Sequence, residues 1–176
     1  MQERYPQTYK YLLAYREILA ARSSIAASGL RWYELVRRRD EEWLRQPKLV
    51  IRDLAPETSF AVDAEGEVFI VGGTAVIPQQ EELLYPLLAY LNSKYVDSLV
   101  RRTTPQFRGN FQKFEPQHLQ RIPVLVRLVE DAEFARQLGE LARDAVAESG
   151  LRTETTERIN LVVGEAMRAL GLDQAR

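Results

Sequence analysis

The chain lacks cysteine and has a single histidine, His118. Without cysteine there are no disulfides, thiolate metal sites or cysteine nucleophiles, and we expect the protein in the reducing cytoplasm. A lone histidine beside Pro116 and Leu119 is more often a packing or helix-capping residue than a metal ligand or base. The sequence therefore predicts no metal site in this chain.

Long apolar runs are missing as well. No run approaches the roughly 20 residues of a membrane-spanning helix, and the first 22 residues contain no uninterrupted apolar core of the signal-peptide type. The 176 residues are nevertheless 45% apolar, enough to bury a real core. We expect a domain over residues 1–128, an appendage over residues 129–176 and no contact with a membrane.

Positive charge is not in excess, because the whole chain has a net charge of -1. Between Lys94 and Lys113, however, five basic residues accompany one acid, Asp97. Hydroxyl and amide side chains lie between these cations. Cations that contact phosphates, together with amides that contact base edges, are typical of nucleic-acid recognition. The predicted contacts are Arg101, Arg102, Thr103, Thr104, Gln106, Arg108, Asn110, Gln112 and Lys113.

Two interpretations of this charge stay open. Arg37, Arg38 and Arg39 form either a secondary nucleic-acid contact or a solvated surface, since charge runs are usually solvated. The near-neutral total favours a different class of function, a non-catalytic protein–protein interaction scaffold whose arginines only keep it in solution. Clustering of the arginine run with the basic stretch on one surface would favour nucleic acid.

The hydrophobic periodicity predicts an α+β fold with a small, mainly antiparallel sheet flanked by helices. Helix spacing covers residues 6–22 and resumes at residues 81–95 and 96–102. Short branched and aromatic runs at residues 49–51, 60–62, 67–71 and 74–77 predict strands, with a hairpin turn at residues 63–66. A further strand is predicted over residues 107–114, with a bulge or close backbone approach at Gly109.

The last 47 residues predict a C-terminal antiparallel helical hairpin. Residues 130–176 contain ten acids and six bases, and the helical pattern breaks at residues 149–151. One side is apolar in each half: Phe134, Leu138, Leu141 and Ala145 in the first, then Ile159, Val162 or Val163, Ala166 and Leu170. The acidic balance argues against phosphate contact and favours a structural or partner-docking role.

Several short strings occur together in one order. They are YPQTYKYLLAYREILAAR from Tyr5, WYEL from Trp32, PKLVIRDLA from Pro47, YLNS from Tyr90, G-x-F-x-x-F from Gly109 and IPV from Ile122. In this order the chain resembles the TaqI-like target-recognition, or specificity, domain of adenine-specific DNA methyltransferases over roughly residues 5–128. Such domains form the C-terminal part of type II and type IIG restriction-modification enzymes.

The resemblance implies a non-catalytic module that binds duplex DNA and specifies the site at which a separate catalytic domain or subunit methylates adenine, and in some enzymes cleaves. S-adenosylmethionine is then expected in the catalytic domain and no cofactor in this chain. The resemblance also implies structural roles for a set of motif residues. They are Trp32, Asn92, Gly109, Phe111, Phe114 and Pro123.

The catalytic elements of such enzymes are missing from this sequence. An adenine methyltransferase needs a strand-linked glycine loop for the methyl donor and an Asn/Asp-Pro-Pro-aromatic turn for the adenine amino group; neither occurs. The Gly72-Gly73 pair lies between predicted strands, with no helix N-terminus to hold a phosphate. None of the four lysines follows an acid two positions earlier, so the acid-x-Lys element of common restriction nucleases is absent too. We predict no catalytic residue in this chain.

Overall fold

The computed structural model describes residues 1–35, 41–147 and 153–171. The chain forms two compact units, Met1–Glu41 and Glu42–Arg176. The first contains three short helices, α1 (Pro6–Leu13), α2 (Arg16–Ala20) and α3 (Ser23–Ala26). The prediction of one continuous helix over residues 6–22 is therefore wrong. No residue of α1 or α2 is buried, so no core packing holds the two segments in one helix.

An aromatic cluster organises the first unit. The Tyr9 ring lies 5.9 Å from the Trp32 ring and 5.8 Å from the Tyr33 ring, between centroids. The Arg22 guanidinium donates hydrogen bonds to the carbonyl oxygens of Leu19 and Trp32. Trp32, predicted as a structural residue, thus lies where the chain following α3 returns to α1.

Two small antiparallel sheets form the β part of the second unit. Helix α4 (Glu41–Leu44) comes before them in the chain. The first sheet has the order β3-β1-β4 and the second the order β2-β6-β5. The strands are β1 (Lys48–Arg52), β2 (Leu54–Ala55), β3 (Ala61–Asp63), β4 (Gly73–Val76), β5 (Gln106–Phe107) and β6 (Phe111–Lys113). With the helices around them, these sheets confirm the predicted α+β class.

Asp53 is the residue that joins the two sheets. Its N–H donates to the carbonyl of Gly72, next to the β1–β4 ladder, and its carbonyl accepts from the N–H of Phe114, next to the β2–β6 ladder. This single residue therefore separates β1 from β2, and its N–H and its carbonyl are bonded into different sheets.

Two predicted strands are wrong. Residues 67–71 are irregular because the Asp63 carboxylate accepts the N–H groups of Glu67 and Val68, which a sheet ladder would otherwise use. Residues 107–114 form a hairpin instead of one bulged strand. Gly109 and Asn110 both have positive φ, 74° and 66°, and reverse the chain between β5 and β6. Gly66 has the predicted positive φ, 66°, but the predicted hairpin at residues 63–66 is wrong, because β3 ends at Asp63 and the next strand of the described chain is β4.

The helices of the second unit carry most of its core. A 3₁₀ turn (Glu81–Leu83) leads into α5 (Leu84–Leu91), and α6 (Lys94–Thr103) follows after a break. The break lies at residues 92–93, earlier than the predicted one, because Ser93 caps the N-terminus of α6 through its hydroxyl. Two single-turn helices, α7 (Pro116–Leu119) and α8 (Arg127–Glu130), then lead to α9 (Ala132–Ala147) and α10 (Thr153–Ala169).

The predicted helical hairpin is present as α9 and α10, and its apolar side contributes to the main core. Leu138 and Val163 are fully buried in one cluster with Leu49, Leu88 and Phe114. Leu170, predicted on the same side, is 47% exposed because it follows the last residue of α10. The predicted boundary between residues 128 and 129 stays a prediction about independent folding. Among the described helices, none is long and apolar enough to cross a membrane.

Candidate nucleic-acid interface

Residues of the YLNS, G-x-F-x-x-F and IPV strings contact one another inside the second unit, directly or through Phe60. The Tyr90 hydroxyl donates to the carbonyl of Pro123, and burial raises the pKa of Tyr90 to about 12. The Asn92 amide makes two bonds with Phe60, accepting from its N–H and donating to its carbonyl, 2.8 and 2.9 Å. The Phe60 ring then meets the fully buried Phe114 ring edge to face. Asn92, Phe114 and Pro123 thus hold the loop before β3, the end of β6 and the segment after α7 together.

Asp97 orients the last turn of α6. One carboxylate oxygen accepts the N–H of Thr58 at 2.8 Å, and the other accepts the Arg101 guanidinium at 2.6 Å. Arg101 also donates to the carbonyl of Pro56. This predicted DNA contact is partly engaged within the protein, with 36% of its side chain exposed. Arg102 and Thr103 are exposed, and each donates to a carbonyl one turn earlier in α6.

Two of the predicted contacts lie under the hairpin instead of on its surface. Thr104 is 9% exposed and Gln112 3%. The Thr104 hydroxyl bonds the Gln112 amide oxygen and the carbonyl of Val100. Their burial argues against direct contact with a base, and their bonds fasten β6 to the end of α6.

The tip of the β5–β6 hairpin is exposed and rich in groups that bind nucleic acid. The Gln106 amide donates to the Asn110 amide oxygen at 2.5 Å. Phe107 and Phe111 are opposite each other in the ladder, and they remain 47% and 36% exposed. Lys113 lies over the Phe107 ring, 5.7 Å from its centroid, and 3.6 Å from Glu115.

Some predicted contacts fall outside the described structure. The backbone of Arg108 belongs to the turn at the tip, while its side chain lies outside the described part. Arg37, Arg38 and Arg39 lie outside the described residues altogether. The assignment of all these contacts to DNA stays a prediction.

Sequence reasoning missed a buried ion pair at the start of β1. Lys48 is fully buried, and its ammonium donates to the carboxylate of Asp63 and, at 2.6 Å, to the carbonyl of Leu44. Burial alone raises the pKa of Asp63, but hydrogen bonds from Lys48 and from the N–H groups of Val68 and Glu67 outweigh it, so the pKa lies below its usual value. A lysine adjoining the apolar run 49–51 was the available signal.

His118 lies on α7, with its Nε2 atom 3.8 Å from a carboxylate oxygen of Glu115. Within residues 1–35, 41–147 and 153–171, no three histidine, aspartate or glutamate side chains are grouped so as to hold a metal ion. The candidate interface in the second unit is a hairpin of polar and aromatic residues on a packed support.

Comparison with known proteins gives a consistent picture. A family model described as the TaqI-like C-terminal specificity domain matches residues 4–124. The type II methyltransferase M.PaeR7I of Pseudomonas aeruginosa is 28% identical over 120 residues, which cover 68% of this chain and 21% of that protein. The type II methyltransferase M.BanIII of Aneurinibacillus aneurinilyticus is 27% identical over 95 residues, 52% of this chain and 16% of that protein. The matched part of the chain spans 21% and 16% of the length of these two curated relatives.

Proposed function

We propose, on the basis that this chain belongs to the family of TaqI-like C-terminal specificity domains, that it binds duplex DNA and selects the site for adenine methylation. The reaction takes place in a separate methyltransferase domain or subunit, which binds S-adenosylmethionine and is the partner of this chain in the cytoplasm. The membership supports a recognition role. The choice of DNA and of adenine is our proposal.

The observation that carries the proposal is the exposed β5–β6 hairpin. Its described side chains present exposed amides and aromatic rings from one short segment, and a buried hydrogen bond between Thr104 and Gln112 fixes its base. A two-stranded ribbon is narrow enough to enter the major groove of B-DNA, where amide and guanidinium groups distinguish base pairs. Arg101 and Arg102 at the end of α6 and the half-buried Lys113 on β6 supply phosphate contacts.

The chain by itself is expected to transfer no methyl group to DNA. It contains neither the methyl-donor loop nor the turn that holds the adenine amino group. The measurement is incubation of the purified chain with labelled S-adenosylmethionine and mixed-sequence duplex. Reproducible labelling of DNA, in preparations free of contaminating enzyme, would place catalysis in this chain and contradict the proposal.

Lys113→Ala and Arg108→Ala are expected to affect DNA binding by the complete methyltransferase differently. Lys113 on β6 is assigned a phosphate contact, so its loss lowers affinity for every sequence and reduces the salt slope by about 1. Arg108 in the turn is assigned a base contact, so its loss costs about 1–3 kcal/mol and relaxes preference at one position. Binding to a randomised duplex library at two salt concentrations separates the two effects.

The matched control is Arg136→Ala. Arg136 is an exposed arginine on the acidic helix α9, where Glu133 and Glu140 pair with it, and its loss is expected to leave DNA binding unchanged. Wild-type affinity and wild-type base preference in both hairpin variants would show that the hairpin is only structural.

A further inference from the structure

Two exposed side-chain amides lie together on the hairpin. Gln106 lies in β5 and Asn110 closes the turn before β6, and their side chains are bonded to each other at 2.5 Å. Asn110 has a φ of 66°, a conformation that asparagine tolerates better than most residues. Both side chains are exposed, so the bond between them leaves the rest of each amide facing solvent.

The remaining hydrogen-bonding groups have a defined character. Each amide has an amino group with two hydrogens and a carbonyl oxygen with two lone pairs, and the mutual bond uses one hydrogen of Gln106 and one lone pair of Asn110. Each amide therefore keeps at least one donor and one acceptor, and this holds even when the oxygen and nitrogen of both amides are exchanged. The major-groove edge of adenine requires this combination, since N7 accepts and the N6 amino group donates. Guanine offers two acceptors there and would leave the carbonyl facing an oxygen.

The base of the hairpin keeps these groups in position. Gln112, the ladder partner of Gln106, is buried and accepts the Thr104 hydroxyl at 3.1 Å. On its other side β6 pairs with β2 through Gln112 and Ala55. Strand and helix both fasten β6, so the base of the hairpin is already fixed before binding, which limits the entropic cost of recognition.

We propose that the Gln106–Asn110 amide pair reads the adenine of one A·T base pair of the target site from the major groove. This inference rests on the proposed DNA-recognition function and assigns it a base pair and two specificity-determining residues. The amides contact the N6 and N7 edge of that adenine.

The test measures binding of the complete methyltransferase to a duplex library randomised over the target site. Gln106→Met removes one amide at similar length, and Asn110→Gly removes the other while allowing positive φ. Each variant is expected to lose a roughly 5- to 150-fold preference for A·T at one and the same position. Gln79→Met, an exposed glutamine between β4 and the 3₁₀ turn, is the control and is expected to keep that preference.

Modified bases at that position provide a second readout. Replacing its adenine with 7-deazaadenine removes the N7 acceptor. This replacement is expected to weaken wild-type binding and to have little further effect on Gln106→Met. Unchanged preference at every position, or equal loss for all sequences, would overturn the inference while leaving DNA recognition intact. Absence of any sequence preference in the unmodified enzyme would overturn the proposed function as well.

Discussion

Lys48→Met is expected to lower the free energy of unfolding by about 3–5 kcal/mol, because removing one partner of a buried ion pair leaves the other charge in the protein without compensation. Asp63 would retain only the N–H groups of Glu67 and Val68 as donors. Urea unfolding of the purified chain, followed by circular dichroism, measures the change.

Lys10→Met is the matched control, since Lys10 is exposed on α1 and its loss is expected to change stability by less than about 0.5 kcal/mol. The double variant Lys48→Met/Asp63→Leu is expected to recover part of the loss, because it removes both charges. A loss below about 1 kcal/mol in the single variant would contradict a stabilising role for the pair.

The pH dependence of the unmodified chain follows from the same pair. The pKa of Asp63 is lowered in the folded protein, so the stabilisation it provides is fully present above the unfolded-state value of about 3.9 and is lost as pH falls through the folded-state value. The urea concentration at the unfolding midpoint is therefore expected to decrease as the pH is lowered below about 4. In Asp63→Asn the contribution of Asp63 to this decrease is expected to be absent.

Removal of residues 132–176 is expected to abolish cooperative unfolding of the rest of the chain. Phe134, Leu138, Leu141, Ile159 and Val163 belong to the same core cluster as the strands and α5. Each large apolar side chain contributes roughly 1.5–3 kcal/mol when buried, and the total stability of a domain is only about 5–15 kcal/mol. Calorimetry of the truncated chain is the measurement. A sharp transition in the remaining residues would instead support the boundary predicted after residue 128.

Two leucines of the helical hairpin serve as a matched pair for this prediction. Leu138→Ala, at a fully buried position of α9, is expected to cost about 2–5 kcal/mol. Leu161→Ala, at a position of α10 that is 59% exposed, is expected to cost less than about 0.5 kcal/mol. Equal effects would mean that the helical pair does not pack on the core as described.

Periodicity was sufficient where side chains meet a continuous core. The helical spacing predicted over residues 81–95 does bury Leu84, Leu88 and Leu91, and the predicted apolar side of the C-terminal hairpin buries Phe134, Leu138 and Leu141. It was insufficient where one polar group redirects the backbone. The run at residues 67–71 has the composition of a strand, yet the carboxylate of Asp63 binds its first amides.

The candidate interface was predictable in location but not in detail. A single glycine suggested a bulge, while the hairpin depends on a second residue with positive φ, Asn110. Composition placed Thr104 and Gln112 among the contacts, but only the ladder register shows that Gln112 faces the support and bonds Thr104. The Lys48–Asp63 pair joins residues 15 positions apart, and a buried lysine runs against the usual surface preference of that residue.

Asp53 couples the β5–β6 hairpin mechanically to the first sheet. Its N–H is bonded next to the β1–β4 ladder and its carbonyl at the end of β6, so no flexible linker separates the central strand β1 from β6. A displacement of β6 is therefore transmitted to β1 through a single residue and not absorbed by a linker. Moving β6 as a whole requires breaking the backbone hydrogen bonds at Asp53 or moving the β3-β1-β4 sheet with it.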